Sequence, residues 1–161
     1  SPWNNYTEIE VADMIMDEVE ILIREKGKAL KGVYESIKFF KSKELPLAIA
    51  SSSHSRLIKA VVEKLELEKY FDVIYSSESE EYGKPHPGVF ISAARQLKVL
   101  PENCLIIEDT VFGVISGLAA KSKVIAIPEE HNKENERFNV AHLILDSLED
   151  INDESFAKIS F

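Results

Sequence analysis

Two kinds of hydrophobic pattern divide the chain. Near its start, Val11, Ile15, Val19, Leu22 and Ile23 recur at helical spacing with acids between them, which predicts an amphipathic helix with its stripe inward and its acids opposite. Gly27 and Gly32 bracket a short basic stretch that ends this helix and opens a second one carrying Val33, Ile37 and Phe40. From there short apolar runs alternate with amphipathic segments. Strands are expected at 46–50, 72–75, 104–108, 123–127 and 142–145, and helices at 54–66, 88–98 and 111–120. The runs are nearly continuous in apolar residues, so each strand should be covered on both faces. Alternation of such strands with helices gives an α/β fold with a parallel sheet. The Gly27–Gly32 stretch is taken as the hinge between residues 1–28 and residues 29–161.

Composition narrows the classes. The 161 residues are 45% hydrophobic and 29% charged, enough for a domain with a true core. With 28 acidic against 19 basic residues the net charge is −9, which disfavours a nucleic-acid or anionic-membrane partner by long-range repulsion. An anionic substrate would need local positive groups. No apolar run approaches the roughly 20 residues of a membrane helix, and the start does not resemble a signal peptide. The single Cys104 lies in an apolar run, which predicts a buried thiol and a reducing, cytoplasmic setting. None of the four histidines has zinc-ligand spacing.

In parallel sheets covered by helices, ligands bind beyond the carboxyl ends of the strands. Three polar stretches fall there. Ser51, Ser52 and Ser53 end an apolar run and precede a helix, so their hydroxyls and nearby backbone N–H groups suit phosphate oxygens, or Ser53 serves only as a helix cap. Lys84 lies in Gly83-Lys84-Pro85-His86-Pro87, a stiff loop that would aim a compact cation at a phosphoryl group or leave it solvated. Glu108 and Asp109 close the run Leu105-Ile106-Ile107 and supply hard oxygen ligands of the kind Mg²⁺ takes; alternatively Asp109 or Thr110 caps the next helix and Glu108 is solvated. His86 reads as structural. Three strand ends carrying Ser, Lys-Pro and Glu-Asp in this order are much less accidental than any one of them.

By these residues the chain resembles the haloacid dehalogenase superfamily, specifically its phosphatase and phosphomutase members related to β-phosphoglucomutase. The matching stretches are Ile49-Ala50-Ser51-Ser52-Ser53-His54, Gly83-Lys84-Pro85-His86-Pro87-Gly88-Val89-Phe90 and Ile106-Ile107-Glu108-Asp109-Thr110-Val111-Phe112-Gly113, and the likeness runs over about residues 1–150. The resemblance implies a Rossmann-like, three-layer α/β core with part of a helical cap, residues 1–28 being the C-terminal half of the cap. It also implies Mg²⁺ as cofactor on Asp109 and Glu108, phosphate contacts from Ser51, Ser52 and Lys84, and a catalytic part for Ser51 and Lys84. The substrate class is a small phosphomonoester such as a sugar phosphate, transferred through an aspartyl-phosphate.

One departure is large. The family's first motif, Asp-x-Asp-Gly-Thr, is not in this sequence. Residues 29–161 are therefore expected to be the core without its first strand, and the chain alone to have little or no phosphatase activity until the missing N-terminal segment is supplied. That strand would lie between the runs 46–50 and 104–108, which should then not pair with each other. A phosphomutase and a non-catalytic binding protein of the same fold remain alternatives. A two-component receiver domain is disfavoured because Glu108 and Asp109 follow Lys84 rather than precede it. A metal-free dehalogenase would not need the acid pair.

Overall fold

Described here over residues 5–159, the structure is a computed structural model. Its longest helix, α1 (Glu8–Lys26), buries none of its residues. It begins at a capping box, with the Thr7 hydroxyl accepting from Glu10 N–H at 3.2 Å and the Glu10 carboxylate accepting from Thr7 N–H at 2.7 Å. The expected stripe is only half right. Val11, Val19 and Ile23 are half-buried, but Ile15 and Leu22 are 56% and 47% exposed. The reason is that α1 meets helix α3 (Ser55–Lys64) largely through charge, so its acids do not all face solvent. Arg56 pairs with Asp17 at 2.7 Å and with Glu20, while Arg24 pairs with Glu20 and with Glu63 at 2.8 and 3.1 Å.

Gly27 caps α1, and Gly32 takes φ +81° at the start of helix α2 (Val33–Ser42). A side chain at Gly32 would be strained by that dihedral and would overlap the backbone of Glu149. Five short parallel strands follow: β1 (Ala48–Ser51), β2 (Val73–Ser76), β3 (Leu105–Glu108), β4 (Lys123–Ala126) and β5 (Leu143–Ile144). Helices α4 (Gly88–Gln96) and α5 (Val111–Ala119) lead out of β2 and β3, and α6 (Asp153–Ala157), which the hydrophobic pattern did not predict, ends the described chain. All five expected strands and three expected helices exist, with ends moved by a few residues.

The strands form two sheets, β1-β2 and β3-β4-β5, every pairing being parallel. Among the described residues no ladder joins β1 to β3, as expected for those two runs. One core nevertheless spans both sheets: Val89 and Phe90 of α4, Val114 of α5, Ile106 of β3 and Val124 of β4 cluster with Ala50 of β1 and Tyr75 of β2 packed against them. The alternate residues Leu47 and Ile49 face the other way, onto Ile37 of α2 and Ile58 and Val62 of α3. Helices thus cover the sheet on both faces, giving the expected three layers. Phe138, 2% exposed in a 3₁₀ turn at Glu136–Val140, belongs to the main core although it lies outside every expected element.

Cys104 is only half-buried, contrary to the expected buried thiol. It sits just ahead of β3 with its Sγ near the Leu100 carbonyl at 3.5 Å, and partial burial pushes its pKa up. Among the described residues no helix is long and apolar enough to cross a membrane.

Candidate active site

At the end of β3 the chain buries a carboxylate. Glu108 is 8% exposed, and the ammonium of Lys84, whose side chain is 13% exposed, donates to its Oε1. Thr110 Oγ1 donates to Glu108 Oε2 at 3.1 Å and accepts from Gly113 N–H at 3.0 Å as the N-cap of α5, so one hydroxyl both starts the helix and orients the acid. Gly113 makes this possible, since an added Cβ there would overlap the Glu108 carboxylate. Lys84 also lies 4.7 Å from the centre of the Phe90 ring, a cation–π contact that helps hold a partly desolvated ammonium. Neither of the solvated alternatives holds: Lys84 is no surface charge and Glu108 is no exposed flank. The helix cap is Thr110.

Lys84 leaves the loop that follows β2, and its amine reaches the last residue of β3. The carboxyl ends of β2 and β3 therefore lie on one side of the molecule. Ser51 is the last residue of β1 and pairs in register with Ser76, the last residue of β2. Strand ends carrying Ser51, the Lys84 loop and Glu108-Asp109 share a rim by this topology, and Lys84 and Glu108 are in direct contact.

The serine loop differs from its expected form. Helix α3 is capped by His54, whose Nδ1 accepts from Arg56 N–H at 3.3 Å, not by Ser53. Ser51 Oγ accepts from Ser53 N–H at 3.1 Å, and Ser55 gives both its N–H and its hydroxyl to the Glu78 carboxylate at 2.5 Å each. Glu78 also meets His54 Nε2 at 2.7 Å and the Ser76 hydroxyl at 3.3 Å, while Ser76 Oγ donates to the Ser53 carbonyl at 2.7 Å. The Ser55 bonds hold the Glu78 carboxyl below the usual carboxylate range, with His54 adding to the effect. An internal anion thus occupies the start of α3, so the backbone donors proposed for phosphate are largely committed. The hydroxyls of Ser51 and Ser52, both at the rim, carry what remains of the expectation.

Asp109 is exposed, and among the described residues no hydrogen bond or ion pair engages its carboxylate. It fits a hard divalent cation, which takes one or two carboxylates together with water and phosphate oxygens. Glu108, already held by Lys84 and Thr110, stands behind it. Among the described residues no three His, Cys, Asp or Glu side chains gather as a metal cluster, so the fit rests on Asp109 with Glu108 beside it. Sequence reasoning missed Glu78 and Ser76 as parts of this region, and neither carried a signal. Thr110, one of the two caps the sequence offered, is the cap found, at Ser/Thr-x-x-Gly spacing to Gly113.

The model of the haloacid dehalogenase-like hydrolase family matches residues 4–127. Hexitol phosphatase B of Escherichia coli is 32% identical over 150 residues, 93% of this chain and 68% of that protein. A phosphorylated carbohydrates phosphatase of Thermotoga maritima is 34% identical over 66% of this chain, which spans 49% of it. Among solved structures, β-phosphoglucomutase of Clostridium difficile superposes with a TM-score of 0.79 at 25% identity, covering 96% of this chain and 69% of that one.

Proposed function

Because this chain belongs to the haloacid dehalogenase-like hydrolase family, we propose that it supplies the phosphate- and metal-binding half of a phosphomonoester hydrolase acting on small sugar phosphates. The observation that carries the reading is the buried Lys84–Glu108 pair beside the free Asp109 carboxylate. A buried ion pair contributes little net stability, because desolvation offsets its attraction. At the rim of a parallel sheet its placement suits a task of charge handling instead. The named relatives act on phosphorylated carbohydrates or hexitols, which sets the substrate class we favour.

In this reading the nucleophile is an aspartate on a segment not contained in this sequence. That carboxylate attacks phosphorus, the sugar oxygen leaves with a proton from the second aspartate of the same Asp-x-Asp segment, and water, giving a proton back to that aspartate, then cleaves the aspartyl-phosphate to inorganic phosphate and the free carboxylate. Attack of an anion on an anion needs compensating charge. Lys84 supplies it directly, shared between Glu108 and the transferring group, and the Ser51 and Ser52 hydroxyls donate to phosphoryl oxygens. Asp109 would hold Mg²⁺, with Glu108 next to it; when bound, the cation neutralises phosphoryl charge. Residues 1–28 would belong to a helical cap and residues 29–161 to the core, and the half-buried single cysteine suits a reducing, cytoplasmic setting. A phosphomutase would use the same residues, with a sugar hydroxyl in place of water as the acceptor, and the likeness to β-phosphoglucomutase favours keeping that second reading.

The test joins an Asp-x-Asp segment to this chain and measures release of phosphate from hexose and hexitol phosphates. Turnover should require Mg²⁺ and stop with EDTA. Asp109→Ala should lower the rate by on the order of 10² to 10³, the usual effect of one lost electrostatic contact, while the folded stability stays within about 0.5 kcal/mol, as for an exposed, unpaired residue. Full turnover in EDTA would exclude the metal-assisted reaction. A transient sugar bisphosphate would select the mutase.

A further inference from the structure

Glu80 lies where the loop bearing Lys84 begins. Its Oε1 accepts from the Tyr75 hydroxyl on β2 at 2.7 Å, and its Oε2 lies against Gly88, the first residue of α4. Tyr75 precedes the loop and Gly88 follows it, so one carboxylate closes residues 81–87 at their base. Room for that carboxylate is made by Gly88: a Cβ there would overlap Glu80 Oε2 and come within 3.1 Å of His86 Nδ1. The far side of the loop is tied as well, since Ser116 Oγ, fully buried in α5, donates to the His86 carbonyl at 2.8 Å.

We propose that Glu80 is a positioning residue for Lys84, holding the loop closed between Tyr75 and the start of α4 so that the Lys84 ammonium stays at Glu108. The proposal rests on reading Lys84 as the phosphoryl-binding cation. A lysine has four rotatable side-chain bonds and gains little from being near a ligand unless its backbone is fixed. Hydrogen bonds to an ionised carboxylate are stronger than neutral ones, and one that bridges two elements constrains all the chain between them. The Ser92 and Tyr75 bonds, in that order, hold the Glu80 carboxyl below its usual range, so it remains an acceptor at neutral pH.

The test is pulsed acylation of lysines on the 161-residue chain, read lysine by lysine by mass spectrometry. Glu80→Ala should raise labelling of Lys84 about fivefold, the protection that one hydrogen bond of ordinary net strength gives, while Lys43 and Lys158, which pair elsewhere, keep their rates. Glu80→Gln has the same shape, can still accept from Tyr75, and should keep Lys84 protected. Tyr75→Phe removes one tie and should release Lys84 in part; it carries the test should Glu80→Ala not fold. Unchanged Lys84 labelling, or an equal rise at every lysine, would overturn the proposal. Titration of the same proteins with inorganic phosphate separates the two readings: selective release of Lys84 with no phosphate binding in any of them upholds the positioning role and removes the phosphoryl one.

Discussion

The serine loop and the lysine–acid pair occupy the same rim yet are built on opposite principles. Ser51 at the end of β1, Ser53 in the loop after it, Ser55 at the start of α3 and Ser76 at the end of β2 form with Glu78 a cluster that satisfies itself, Ser51 and Glu78 taking up backbone donors at an exposed helix start. Lys84 and Glu108 are nearly dry, and each depends on the other across 24 positions of sequence. Most of the serine bonds are solvent-exposed, so water can replace them and losing one costs little. The pair is buried, and removing either member strands a charge. The difference teaches that one rim can hold one part through exposed hydrogen bonds and another through a buried ion pair, so mutations should separate the two sharply.

The strongest way to break the comparison is Lys84→Ala. It should destabilise the chain by about 3 to 5 kcal/mol, because Glu108 would be left buried and uncompensated, and urea unfolding reads this directly. Replacing both partners by apolar residues, Lys84→Met with Glu108→Leu, should recover most of the loss, since well-packed apolar pairs often equal a buried ion pair. If the double variant were as unstable as the single one, the two charges would not be acting as a pair.

Gly113→Ala should come next. An alanine would gain roughly 0.5 to 1 kcal/mol of helix propensity in α5, but its Cβ would overlap the Glu108 carboxylate, and overpacking commonly costs about 1 to 3 kcal/mol. Net destabilisation is expected, with Lys84 more readily acylated. A net gain would mean that the carboxylate moves without cost. On the other side of the comparison, Ser51→Ala should change unfolding stability by about 1 kcal/mol or less, the net worth of one hydrogen bond, and leave Lys84 labelling untouched.

The smallest effect belongs to His142, outside both parts. Its Nδ1 accepts from Val124 N–H on β4 at 3.1 Å, and burial, with Lys123 nearby, holds its pKa below 6.5. A depressed histidine favours the neutral ring in the folded state. This contribution is complete above the unfolded value of about 6.5 and is lost as pH falls below it. The stability of the wild type should therefore dip slightly more between about pH 7 and 5.5 than that of His142→Asn. The Glu78 and Glu80 carboxyls, held below their usual range, lose their contribution only at lower pH, as it falls below about 4.5, so the two windows can be told apart.

Hydrophobic pattern by itself determined the strand–helix order and the placing of Ser51, Lys84 and Glu108-Asp109 at strand ends, because periodicity and breaker residues are local properties of the chain. The same local signals misplaced the cap at Ser53 and overstated the burial of α1, where charge pairing with Arg56 outweighed the stripe. Only the tertiary structure decided that Lys84 meets Glu108, that Glu78 fills the start of α3, and that Phe138 enters the core. Each of these depends on residues far apart in sequence, or on which of several equivalent acids lies nearest a donor. Glu78, Glu80 and Glu81 read alike along the chain, and the two with assigned partners are set apart by the surroundings into which the fold carries them.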